Sequence, residues 1–278
     1  MIPPIESPSL PDSPASEPLS GRDVVLDALV RQGFMPIFAQ DRFESRVLVE
    51  GAIAAGCKVL EYTCRRPDAR EIIPWIKKEF PGVAVLAATL VDSPRLSAHL
   101  QETVPGFVTV DEAVDLGADG LVSFMGFRTE TYAKYGSRTV IVPGVTTANE
   151  AVDQLERGAD LIKTIVGSTG GRELLIRSRV PSHSGIPYLV SGGVNQGNVE
   201  SYIQAGAVAA TAGVDLLIGP GQFTREALFR RTSEVVIEML AAVRAAREKH
   251  QPHLAQGIQD GARDLLSTGP WYWKRPAD

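Results

Sequence analysis

Asp160-Leu161-Ile162-Lys163-Thr164-Ile165-Val166-Gly167 is an apolar run closed by a glycine and interrupted by one lysine. A run of this length between turn residues suits a strand covered on both faces, as the strands of parallel sheets are. Just before it, the segment TANEAVDQLERGAD places apolar residues at the i, i+3, i+4, i+7 spacing of an amphipathic helix. Just after it, IPYLVSGG (186–193) is a second apolar run, followed by the helical pattern of NQGNVESYIQAGA.

The same alternation extends outward to both ends. FMPIFA (34–39), KVLEYT (58–63), VAVLAAT (83–89), GLVSFMG (120–126), RTVIVPG (138–144) and VAATAG (208–213) complete the set of runs, with helical segments such as RFESRVLVEGAIAAG and PDAREIIPWIKKEF between them. Eight such units predict an α/β protein whose parallel strands close into a (β/α)₈ TIM barrel rather than an open doubly wound sheet. The connection Asp92–Asp119 is longer than the others and predicts two helices, with Pro105-Gly106-Phe107 as the turn between them.

The rest of the chain falls outside this rhythm. Residues 1–18 are rich in proline and serine and are expected to be a disordered N-terminal segment. A helix begins at the capping residue Ser20 and stops at Gly33, opening a barrel domain over 19–248. A last helix is predicted over Gln222–Glu248. The C-terminal extension 249–278 is expected to add a helical tail, with Trp271-Tyr272-Trp273 packing on the barrel or on a neighbouring subunit.

Composition narrows the functional classes. Charged residues make up 22% and apolar residues 44%, the balance of an ordinary soluble domain. A net charge of −5 without a basic run gives nothing to draw nucleic acid or an anionic membrane in bulk, and leaves room for a local basic site that takes a small anion. No stretch has the roughly 18 apolar residues of a membrane span, and no signal peptide opens the chain. Cys57 and Cys64 lie at the two ends of one strand, about 23 Å apart if extended, which forbids a bridge between them. Unpaired cysteines point to a reducing, cytoplasmic setting.

The chemistry of the chain centres on Lys163. Lys58, Lys77, Lys78, Lys134, Lys249 and Lys274 fall at a strand start, on helices or in the C-terminal region, whereas Lys163 has apolar neighbours on both sides. A buried ammonium is costly unless it is paired or gives up its proton. Lowering a lysine pKa from about 10.4 to near 7 takes about 4–5 kcal/mol of differential destabilisation, which desolvation inside a barrel can supply. The neutral amine is then a nucleophile for a carbonyl carbon. A lysine whose head snorkels to solvent is the alternative.

The second run weighs on that choice. Strand alternation puts Glu61, Thr63 and Arg65 on one face and Leu60, Tyr62 and Cys64 on the other. The polar set is expected to point into the barrel near its C-terminal rim, where barrel enzymes build their sites. A glutamate there can trade protons, and an arginine at the strand end can clamp a carboxylate. An internal ion pair of Glu61 with Arg65 or Lys163 that merely neutralises buried charge is the other reading. Thr89 ends the third run with a hydroxyl among small residues. Ser191-Gly192-Gly193 and Ala212-Gly213 end the seventh and eighth runs with glycines that let backbone N–H groups approach a ligand.

Taken together, Leu60-Glu61-x-Thr63-x-Arg65, Thr89, Pro143-Gly144-Val145-Thr146-Thr147, Lys163 and Ser191-Gly192-Gly193 resemble the 2-keto-3-deoxy-6-phosphogluconate/4-hydroxy-2-oxoglutarate (KDPG/KHG) aldolase family over roughly Ser20–Ala246. The resemblance implies a class I, Schiff-base aldolase without cofactor, a carbon–carbon lyase that splits a 2-oxo-3-deoxy sugar acid, phosphorylated or not, into pyruvate and an aldehyde. It implies a homo-oligomer, commonly a trimer. Lys163 would form the Schiff base and Glu61 would shuttle protons. Arg65, Thr89 and Thr63 would bind the pyruvate unit, and Gly192, Gly193 and Gly213 would face the distal phosphate. The chain departs from the family pattern at Thr164-Ile165-Val166 after the lysine, at Phe124-Met125-Gly126 where Ser-Pro-Gly is usual, and at Val214 where a serine is common. A phosphate-binding epimerase or synthase barrel and a non-catalytic sugar-acid-binding barrel are the rival readings. The histidines 99, 183, 250 and 253 form no ligand pattern, so no metal is expected.

Overall fold

The structure is a computed structural model and describes residues 21–167, 169–177, 185–261 and 265. The N-terminal segment, the cap at Ser20 and the Trp271-Tyr272-Trp273 cluster lie outside the described residues. Strands β1 (Phe34–Phe38), β2 (Val59–Thr63), β3 (Ala84–Ala88), β4 (Gly120–Val122), β5 (Val140–Val142), β6 (Gly144–Val145), β7 (Ile162–Ile165), β8 (Tyr188–Ser191) and β9 (Ala209–Gly213) are all parallel. They form one sheet in the order β5-β4-β3-β2-β1-β9-β8-β7-β6.

The fifth apolar run, expected as one strand over 138–144, is two segments. Proline has no N–H to give to a ladder, and Pro143 interrupts the pairing. Its carbonyl still accepts from Lys163 N–H at 2.8 Å, and Ile141 O accepts from Asp160 N–H at 3.0 Å. Gly144 N–H in turn donates to Met125 O at 3.1 Å. The two segments thus behave as one barrel stave, and the sheet closes on itself through it. The eight-stave α/β barrel expected from the sequence is the observed fold.

Closure separates two cores. Inside the barrel Met35, Val59, Ala84, Leu86, Ala88, Val122, Val140, Val142, Leu161, Leu189 and Ala209 pack in one cluster. Between strands and helices lies a second, larger cluster that includes Phe38, Leu60, Tyr62, Val85, Leu121, Ile162, Tyr188 and Val190. Alternate residues of β2 and β8 go to different clusters, as the two-residue period of a strand requires.

Helix α1 (Arg22–Gln32) shuts the N-terminal end of the barrel: Val25, Leu26, Leu29 and Val30 pack into the interior cluster. Its position is fixed by polar ties. Arg22 Nε donates to Asp160 Oδ1 at 2.7 Å, while Asp160 Oδ2 accepts from Ile141 N–H. Gln32 bridges β1 and β2, donating to Phe34 O and Val59 O and accepting from Lys58 and Val59 N–H.

The helices predicted between the strands are α2 (Ser45–Ala54), α3 (Ala69–Glu79), α7 (Ala148–Glu156) and α9 (Val199–Gln204). The long third connection holds α4 (Pro94–Thr103) and α5 (Val110–Asp115) on either side of the Pro105-Gly106-Phe107 turn, as expected. The sequence reading did not identify α6 (Thr129–Tyr135), α8 (Thr169–Arg177) or the short α10 (Val214–Ile218). The last long helix, α11, runs over Arg225–His250, shifted from the predicted 222–248, and α12 (Pro252–Gln259) follows it. Helix α11 packs along α2 and α9, and α12 with Leu265 joins the cluster at the barrel base.

Candidate active site

Lys163 lies at the centre of β7 and Glu61 at the centre of β2, strands separated in the sheet by β1, β9 and β8. Their side chains meet across the barrel interior. Lys163 Nζ donates to Glu61 Oε1 at 2.7 Å, and both side chains are sealed, 1% and 2% exposed. The snorkelling alternative is therefore not what the chain adopts. Of the two ion pairs considered for Glu61, the one with Lys163 forms. Glu61 Oε2 is buried and has no hydrogen-bond partner among the described residues.

The second strand delivers its polar face to the rim. Thr63 is buried and its hydroxyl donates to Phe38 O at 2.8 Å, tying β2 to the end of β1. Arg65 stands exposed just past the strand end. Its Nε donates to Ala39 O at 3.0 Å, which orients the guanidinium and leaves its two terminal nitrogens uncommitted among the described residues. Thr89, at the end of β3, has φ +66° and is the one non-glycine residue in the left-handed region among those described. Its hydroxyl is buried without a partner among the described residues. Backbone held in that region by a residue with a branched Cβ is strained, and such strain concentrates where a site fixes a group.

Across the rim, Gly192 and Gly193 follow β8 with φ +79° and +78°. A Cβ on Gly192 would stand 2.7 Å from the Ile165 methyl, so glycine there also permits the close approach of β7 and β8. Gly213 ends β9 with an ordinary φ of −65° and leads directly into α10. Above the lysine lies Phe124, its ring centroid 5.2 Å from Lys163 Nζ. Phe124 and Met125 are half exposed, as is Leu216 on the α10 side of the rim.

The sequence reading missed a buried polar network behind Arg65. Arg66 is buried and points outward from the barrel, donating to Tyr62 Oη at 3.0 Å, Ser45 Oγ at 2.5 Å and Phe43 O at 3.2 Å. Asp68 accepts from Tyr62 Oη at 2.6 Å and from Ser45 Oγ. Burial pushes the Asp68 carboxyl up, but the Ser45 and Tyr62 hydrogen bonds and the Arg66 charge together hold it below the usual carboxylate range. Arg65 and Arg66 both lie past the end of β2, so alternation along the strand gave no signal of this network. Asp215 on α10 is fully buried nearby, and burial raises its carboxyl.

A cavity of about 950 Å³ opens on the opposite face, between α1, α11 and α12. Lys58 lines it with Arg31, Arg244, Arg247 and Glu248. Lys58 thus stands at the end of the barrel away from Lys163, as expected from its place at a strand start. No helix among the described residues is long and apolar enough to cross a membrane.

Fold and site together define a parallel (β/α)₈ barrel with a sealed lysine–glutamate pair at its C-terminal mouth. The model of the KDPG and KHG aldolase family matches residues 26–221, and the chain belongs to that family, whose members are carbon–carbon lyases. A 2-dehydro-3-deoxy-phosphogluconate aldolase of Zymomonas mobilis is 24% identical over 190 residues, spanning 68% of this chain and 84% of that protein. A 2-dehydro-3-deoxy-6-phosphogalactonate aldolase of Escherichia coli is 26% identical over 174 residues, 62% of this chain and 78% of that one. Among solved structures, a KDPG aldolase of Legionella pneumophila, with pyruvate captured as a covalent carbinolamine, superposes with TM-score 0.58 at 20% identity, over 77% of this chain and 96% of that one. At that identity the superposition speaks for the fold.

Proposed function

We propose that the protein is a class I aldolase that makes or cleaves a 4-hydroxy-2-oxo acid, with pyruvate as one partner. The observation that carries this is the 2.7 Å contact between Lys163 and Glu61, enclosed at the C-terminal mouth of the barrel. Moving one proton from Nζ to Oε1 along that contact leaves a neutral amine and a carboxylic acid.

The amine of Lys163 then attacks the C2 ketone of the substrate, whose carboxylate lies on the terminal nitrogens of Arg65 in a two-pronged contact. The hydroxyls of Thr89 and Thr63 complete the pocket for the pyruvate unit. Glu61 gives its proton to the departing hydroxyl of the carbinolamine, and water leaves as the iminium forms. The positive nitrogen draws electrons from the C3–C4 bond. Glu61 takes the proton of the C4 hydroxyl as that bond breaks, and the aldehyde departs. The enamine is protonated at C3, and hydrolysis frees pyruvate and restores the amine. Gly192, Gly193 and Gly213 turn backbone toward the distal end of the substrate.

Family membership supports this reading, and so does the carbinolamine held by the Legionella relative. The homotrimer implied by the resemblance is part of the proposal; sedimentation velocity, giving the mass of three chains rather than one, checks it. So is a reducing compartment, supported by two buried free cysteines. The direct test of turnover is pyruvate release from 2-keto-3-deoxy-6-phosphogluconate and from 4-hydroxy-2-oxoglutarate, followed by coupled reduction to lactate. Release by wild type and its loss in Lys163→Met is the expected result. Equal release by both proteins would remove Lys163 from the reaction.

A further inference from the structure

The cavity at the base of the barrel has no part in the chemistry at Lys163, and its charges do not balance. Four cations line its 950 Å³, Arg31, Lys58, Arg244 and Arg247, against two carboxylates, Asp27 and Glu248. Arg31 Nε donates to Asp27 Oδ2 at 2.6 Å, and that pair cancels. Lys58, Arg244 and Arg247 are left with Glu248, and none of these four makes an ion pair among the described residues. Three cations less one carboxylate leave a surplus of two positive charges, in a chain whose net charge is −5.

Arg247 shows that the surplus is built into the fold. Its side chain is buried, only 3% of the residue being exposed. It donates from its terminal nitrogens to Arg31 O at 3.3 Å and to Val208 O at 2.5 Å, while its Nε is buried without a partner among the described residues. Gly33 makes room for it, since a Cβ there would stand 2.6 Å from the guanidinium carbon. Burial brings its pKa down to about 10, so it stays charged at neutral pH. The carbonyls it meets, one of them in the last turn of α1, carry only partial negative charge. A full charge seated there without a counter-ion is costly, and an anion in the adjoining cavity offsets that cost. Beside the cations the lining is apolar, from Val24, Ala28, Leu240, Val243 and Ile258. A concave site of this size, apolar with a few convergent charges, fits a small organic ligand.

We propose that this cavity binds a phosphorylated small molecule. Lys58 and Arg244 hold the phosphate, the buried charge of Arg247 draws it in from behind, and the apolar wall takes the body that carries it. A phosphate monoester has close to two negative charges at neutral pH, which matches the surplus. The site lies at the opposite end of the barrel from Lys163 and does not depend on the aldolase reading.

The test is isothermal titration of the full chain with phenyl phosphate and with inorganic phosphate, at fixed ionic strength because salt screens such contacts. The proteins are wild type, Lys58→Ala/Arg244→Ala and Arg65→Ala. Lys58 and Arg244 are exposed, so the double variant should keep the urea midpoint of wild type; Arg247, which ties α1 to the strands, is left in place. Wild type and Arg65→Ala are expected to bind phenyl phosphate alike. The double variant should bind it about tenfold more weakly or worse, as loss of charge-assisted hydrogen bonds does. Inorganic phosphate, which cannot reach the apolar wall, should bind several-fold more weakly than phenyl phosphate. No saturable binding of either compound by wild type, or an affinity unchanged in the double variant, overturns the inference. So does binding that Arg65→Ala abolishes, which would belong to the mouth. Equal affinity for the two compounds overturns the apolar half of the site.

Discussion

Lys163 and Glu61 stabilise each other only as a pair. Each is sealed from solvent and has the other as its charge partner. Removing one leaves a buried charge unmatched, which costs about 3–5 kcal/mol. Lys163→Met should therefore lower the urea midpoint markedly, and Lys163→Met/Glu61→Gln should recover part of the loss because the orphaned carboxylate is gone. A double variant no more stable than the single one would show that the charges do not depend on each other. The proton on Asp68 can be followed in the same way. Its folded pKa lies below the usual range, so its contribution is present above the unfolded value of about 3.9 and is lost as pH falls through the folded one. Asp68→Asn should cost about 1 kcal/mol at pH 7, and the gap to wild type should close as pH drops below about 4. Urea unfolding at pH 7 and pH 3 measures it, and a gap of equal size at both would contradict the assignment.

At the scale of the elements, the β7–β8 approach depends on Gly192. Any Cβ there meets Ile165 at 2.7 Å, whereas Gly193 has open space around the same position. Both carry positive φ. Gly193→Ala should cost only the backbone term of about 1 kcal/mol, and Gly192→Ala should cost more, by forcing the two staves apart on the mouth side of Lys163. Equal midpoints for the two variants would mean that the contact yields freely. The staves themselves were legible in the sequence because a strand covered on both faces must be apolar throughout, and each run stands out between amphipathic segments. Pro143 hid a break within one of them, since only hydrogen-bond partners show that its missing N–H divides β5 from β6. Helix α10 was not legible. Val214–Ile218 is only five residues long, too short to show a helical period after the run closes at Gly213. In the site, the polar face of β2 and the lone strand lysine carried their own signal. The Arg66 network did not: two adjacent arginines differ only in where the strand ends, and Arg66 finds its partners Ser45 and Phe43 on a different unit. Phe124 was visible as a departure from the family pattern, but its place over the amine depends on the path of the chain after β4.

For the whole molecule, the closed barrel puts its apolar interior and its outer shell beyond the reach of solvent until it unfolds. Cys57 and Cys64 are both buried, and burial pushes each thiol up to about 12. Neither should react with a disulfide reagent such as DTNB at pH 8 in the native protein, and both should react once urea unfolds it. A thiol titrating quickly in the native state would mean that the barrel opens locally. Helix α1, α12 and Leu265 close the base, so access to Lys163 is from the C-terminal mouth, past Phe124. Whether this amine becomes a nucleophile at the mouth of the barrel is read from intact mass after incubation with pyruvate and sodium borohydride, on wild type and on Lys163→Met. One reduced pyruvate adduct is expected on wild type and none on the variant. A folded wild-type protein that gains no mass, or an adduct that persists without Lys163, would contradict that expectation.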